Sequence, residues 1–78
     1  MKPQRRVMNI WAIFRNPAGS GYLANRCEIH QGKAEPVPTA DFLVEQKIET
    51  LREHFRRRGF VAVARKPEDQ PNLVECWM

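Results

Sequence analysis

The residues of this chain best suited to hold a metal or to attack a substrate are Cys27, Cys76, His30 and His54. Cys27-Glu28-Ile29-His30 brings one cysteine and one histidine close together in sequence. A structural zinc site draws on two tight ligand pairs, whereas His54 and Cys76 have no close companion. On a strand, residues three apart face opposite sides, so Cys27 and His30 turn toward one ion only through a bulge. The two cysteines are too few for a disulfide scaffold and read as buried thiols in a reducing compartment. A Cys–His nucleophilic pair lacks a Gly-rich elbow, an oxyanion loop and an orienting residue. No phosphate loop, paired-carboxylate or dinucleotide motif is present. No catalytic residue, no metal site and no cofactor are therefore expected, and the chain does not read as an enzyme.

The second kind of chemistry is cationic. Arg52, Arg56, Arg57 and Arg58 form a basic cluster that could grip phosphates through bidentate guanidinium contacts. Glu49 and Glu53 precede these arginines by three or four residues and can neutralise them as an ordinary solvated helix end. The formal net charge is +4, with residues 1–33 carrying six Lys/Arg against one acid and residues 34–78 carrying seven against eight. The basic excess thus belongs to the N-terminal third, and charge alone does not choose between nucleic acid and an acidic protein surface.

Seventy-eight residues that are 42% hydrophobic and 28% charged describe one small soluble domain, residues 1–78, with residues 1–6 as a basic arm. The longest apolar run, Phe60-Val61-Ala62-Val63-Ala64, is far short of a membrane span. No signal-peptide core follows the basic start, so the expected location is cytoplasmic, with no membrane partner.

Positioning these residues requires a few elements. Met8 to Arg15 is rich in β-branched and aromatic residues and predicts a strand. The turn formers Asn16-Pro17-Ala18-Gly19-Ser20-Gly21 close a hairpin onto a return strand over Tyr22 to His30. Val44, Ile48, Leu51 and Phe55 make a helical stripe, and Phe42 would lie opposite it in a longer helix. Ala40–Val44 therefore reads as a short extended segment and the helix as Glu45 to Arg58, with Gly59 at its C-terminal cap. Phe60–Arg65, a loop over Pro67–Pro71 and a strand over Asn72–Trp77 complete a second hairpin. The expected class is α+β: a mainly antiparallel β-β-(short β)-α-β-β sheet with one helix packed on one face.

One helix covers only one face of such a sheet. With Ile10, Ala12 and Phe14 turned to the helix, Trp11, Arg15, Tyr22, Arg26, His30 and Trp77 would form the outer face, joined by Leu73 and Glu75. Aromatic and arginine side chains of this kind serve protein-binding hot spots and also stack unpaired bases. The leading expectation is a non-catalytic module that engages a protein partner through that face. The alternative is single-stranded nucleic-acid binding by the same face with Arg52, Arg56, Arg57 and Arg58. A homodimer joined through sheet faces or edges is the third.

The segments Asn9-Ile10-Trp11-Ala12-Ile13-Phe14-Arg15-Asn16-Pro17, Ile48-Glu49-Thr50-Leu51-Arg52 and Arg65-Lys66-Pro67-Glu68-Asp69-Gln70-Pro71-Asn72-Leu73-Val74-Glu75-Cys76-Trp77-Met78 resemble small uncharacterised proteins. Those proteins are encoded on proteobacterial plasmids, prophages and integrative elements. They end in an acidic-Pro turn and a Val-Glu-x-Trp strand, and this chain departs from them at Gln70 and in its more basic helix. The resemblance carries no activity. It implies an accessory protein of a mobile element that binds host or element machinery, anti-defence inhibitors included.

Overall fold

A computed structural model describes residues 7–32, 35–63 and 72–78. The expected basic arm at 1–6, the end of the fourth strand at 64–65 and the loop at Pro67–Pro71 lie outside the described residues. The β-branched run becomes β1 (Val7–Arg15), which pairs with β2 (Tyr22–His30) from Val7↔His30 to Arg15↔Tyr22. Between them the Asn16 side chain accepts the Ala18 N–H at 3.0 Å, and its own N–H donates to the Gly21 carbonyl at 3.0 Å. Gly21 adopts φ 92°, and a Cβ there would stand 2.8 Å from the Glu45 carbonyl oxygen. Only glycine allows the turn to approach the next strand so closely.

That next strand, β3 (Val37–Glu45), is longer than the expected Ala40–Val44 and is fully extended. It pairs with β2, with a register shift between Asn25 and Cys27. The helix α1 (Ile48–Arg57) starts three residues after the expected Glu45. Glu49 lies in its first turn and His54, Arg56 and Arg57 in its last, matching the helix dipole. Gly59, at φ 83°, ends it, with the Phe60 N–H returning to the Phe55 carbonyl at 3.0 Å. β4 (Ala62–Val63) and β5 (Leu73–Trp77) follow, and the sheet order is β3-β2-β1-β5-β4 with every pairing antiparallel. The α+β class with one helix on one face is as expected.

The faces are inverted relative to the sequence expectation. Ile13, Ala24, Leu51, Phe55 and Trp77 form the buried core, and Trp11, Tyr22, Leu43, Ile48, Phe60 and Val74 pack around it. The residues read as outward, Trp11, Tyr22 and Trp77, therefore lie beneath the helix, and Trp77 is only 3% exposed. Phe55 is the centre, with ring centroids 5.5 Å from Trp11, 5.8 Å from Phe60 and 5.9 Å from Trp77. Shape explains the choice. Ala24 leaves room for Leu51 and Phe55 to reach the sheet, and the two indoles flank that seat.

Candidate functional site

The side of the sheet away from α1 follows from strand alternation, interrupted by the register shifts in β3 and β5, and cross-strand partners share a face. Phe14 pairs with Leu23 and with Leu73, and Leu23 with Val44. In the next row Phe42, Asn25, Ala12, Cys76 and Val63 succeed one another across all five strands. Beyond it Pro38, Cys27 and Ile10 align, and Met8 pairs with Ile29. Val61 exchanges both backbone hydrogen bonds with Met78, at 2.9 and 3.0 Å, which sets these two on the same side. No charged side chain belongs to any of these positions.

Eight large apolar side chains are exposed among the described residues: Val7, Met8, Val37, Phe42, Val44, Val61, Val63 and Met78. All but Val7 and Val37 project from this one face. Phe42 is 52% and Val44 58% exposed, although each sits within a nine-residue strand. The exposed members stand at two edges, Phe42 and Val44 on β3 and Val61, Val63 and Met78 at the other side, with Asn25, Ala12 and Cys27 buried between them. Exposed apolar side chains gathered on one face mark an interaction site. Its one polar member, Asn25, is 7% exposed and turns its amide inward. Asn25 Nδ2 donates to the Thr39 carbonyl at 2.9 Å and the Asp41 carbonyl at 3.1 Å, so the register shift of β3 satisfies it.

The helix-side face is different beyond the end of α1. Ten helical residues span about 15 Å, while nine strand residues span about 30 Å. The uncovered half carries charge. Arg26 donates from Nε to Asp41 at 2.7 Å, and from a terminal nitrogen to Glu28 at 3.0 Å and Asn9 at 2.9 Å. His30 Nε2 lies 3.1 Å from the other Glu28 oxygen. Arg26 holds the Glu28 carboxyl below its usual range, with His30 adding to the effect. Glu28 and then Asp41 raise the Arg26 guanidinium further.

The expected site residues thus part company. Trp11, Tyr22 and Trp77 serve the core, Arg26 and His30 join an ion network, and Arg15 is exposed at the end of β1. The Trp77 Nε1 is buried with no hydrogen-bond partner among the described residues, which is at odds with a role in contacting a ligand. A bulge between Ile13 and Phe14 moves Leu73 to the apolar side and leaves Glu75 on the helix side. There Arg52 donates to Glu75 at 2.7 Å and to Glu49 at 2.6 Å, and Glu75 is the larger cause of the raised Arg52 guanidinium. Arg57 donates to Glu53 at 2.9 Å, and the Arg56 guanidinium lies 5.8 Å from the Trp77 ring centroid. A shallow depression on the helix's outer side, lined by Glu49, Thr50, Glu53, His54, Arg57 and Arg58, mixes both signs of charge.

Cys27 and Cys76 both belong to the apolar face, while His30 projects from the other. Burial pushes the Cys27 thiol up, with Arg26 opposing. Among the described residues no three His, Cys, Asp or Glu side chains are grouped to hold a metal ion. No helix among them is long and apolar enough to cross a membrane. Sequence reasoning missed Phe14, Leu23, Phe42 and Val44 as surface residues. The signal was the uncharged run Leu23, Asn25, Cys27, Ile29 on one side of β2, against Arg26, Glu28 and His30 on the other. Comparison with family models, with curated proteins and with solved structures returns no match.

Proposed function

We propose that this protein is a non-catalytic binding module whose open sheet face engages the apolar surface of a protein partner. One observation carries the reading: among the described residues the side of the sheet away from α1 carries no charged side chain, and six large apolar side chains on it are exposed. The other surfaces are solvated by ion pairs, as the Arg26 and Arg52 networks illustrate. The stacking platform that single-stranded nucleic acid would need lies under α1, and Arg52 and Arg57 are engaged with carboxylates. The resemblance to mobile-element accessory proteins agrees with a partner in cytoplasmic host or element machinery. A second copy of the chain fits the same chemistry.

The test compares the immobilised wild type with Phe42→Lys/Val44→Lys, two positions exposed enough to accept lysine without loss of folding. Both are offered cell extract and the labelled wild-type chain. A protein retained by the wild type and lost by the variant, with equal melting temperatures, is the expected outcome. Equal retention by both, or none by the wild type, overturns the reading.

A further inference from the structure

We infer that the first half of β3, Val37–Asp41, is a strap that opens while the rest of the fold stays closed, baring the β2 edge and the Cys27 thiol. The inference goes beyond the binding-face reading and does not depend on it. The strap is loosely built. Between Cys27↔Pro38 and Asn25↔Phe42, β3 sets Thr39, Ala40 and Asp41 against the single residue Arg26, so the residue-for-residue ladder is interrupted. Pro38 sits within the strand and offers no N–H, and Pro36 precedes it. Of the strap residues only Thr39 is half-buried, and the others, Val37 at 44% among them, are exposed. Little buried apolar surface resists the opening, which is the condition for a local rather than a global event.

Side chains bridge the interruption. The Thr39 hydroxyl donates to the Arg26 carbonyl at 2.7 Å and accepts the Asp41 N–H at 3.2 Å. Asn25 Nδ2 reaches the Thr39 and Asp41 carbonyls, and Arg26 Nε the Asp41 carboxylate. Water can replace each of these partners once the strap leaves, so the net cost of losing them is modest. The second half of β3 is anchored differently. Leu43 packs against the core, Phe42 to Glu45 pair one for one with Asn25 to Tyr22, and Ser20 Oγ donates to Gln46 at 3.1 Å. Opening therefore stops at Phe42.

Cys27 reports the event. It is 8% exposed and faces Pro38 across the ladder, on the same side of the sheet. Removing the strap strips away that neighbour. It also turns β2 into an edge strand from Arg26 to Glu28, with its backbone donors and acceptors bare.

The test follows alkylation of Cys27 by iodoacetamide in the full chain carrying Cys76→Ala, across a urea series below the unfolding transition. The expected rate is flat in low urea, because the opening exposes little surface, and climbs only where global unfolding takes over. Thr39→Val should raise the low-urea rate about tenfold through loss of the hydroxyl bridge. Ile13→Val, which weakens the core under α1, should leave that rate unchanged. A rate that tracks urea from the start and rises with both substitutions belongs to global unfolding and overturns the inference. A rate that neither substitution moves means that the closed fold already admits the reagent, and overturns it equally.

Discussion

Glu28 stands between a guanidinium and an imidazole, and its acidity follows from both. Its folded carboxyl titrates below the ordinary 4.5 because Arg26, first, and His30, second, favour the charged form. A depressed carboxyl adds stability that is complete above the unfolded value and fades as pH falls through the folded one. Glu28→Gln should therefore lower the urea midpoint at neutral pH and flatten its decline on the acid side, read from denaturation curves at several pH values. Equal slopes for the two proteins below pH 4.5 would show that Glu28 does not contribute to the acid limb. Trp77 makes the opposite point about one side chain. As a candidate contact residue it should tolerate alanine, but as a core residue it should not. Trp77→Ala is expected to cost about 3–5 kcal/mol, most of the stability of a domain this small. Loss of the cooperative thermal transition, followed by circular dichroism, is the expected result.

At the scale of elements, the strands and the helix were legible, and the side each strand turns to the helix was not. The turn cluster Asn16–Gly21, the stripe Ile48, Leu51, Phe55 and the cap at Gly59 are local signals that the structure follows, whereas Val44, read into the same stripe, belongs to β3 and projects from the face away from α1. The displacement of Phe42 from the helical stripe correctly implies an extended segment. The reason was incomplete, because Phe42 on β3 is more than half exposed all the same. In β1, Ile10, Ala12 and Phe14 form one apolar set, and Trp11 and Ile13 begin another. With both sides apolar, a period of two does not say which side is covered. The arginines mislead further. Arg26 belongs to the helix-side face and is polar because α1 spans only half the length of β2, not because that whole face meets solvent. The candidate site was misplaced for the same reason, since Trp11, Tyr22 and Trp77 share one face with Arg26 and His30, and that face is the one α1 packs on.

For the whole molecule, one ten-residue helix covers only part of one side of a five-stranded sheet. A folded state stabilised by a bound partner depends on that partner's concentration. The melting temperature of the wild type should rise when a protein retained through this face is added, while that of Phe42→Lys/Val44→Lys should not; calorimetry across a titration reads both. The placement of β1 has a kinetic consequence as well. The central strand lies between β2, its nearest neighbour along the chain, and β5, whose Trp77 pairs with Trp11 from the far end of the sequence. The β1–β2 hairpin closes a short loop and can form early, whereas the β1–β5 ladder must close nearly the full chain. Until it does, half of the Phe55 seat is missing and one side of β1 stands unpaired in the middle of the future sheet. Slow refolding, and capture of that bare strand by other chains during the delay, follow from this order of assembly.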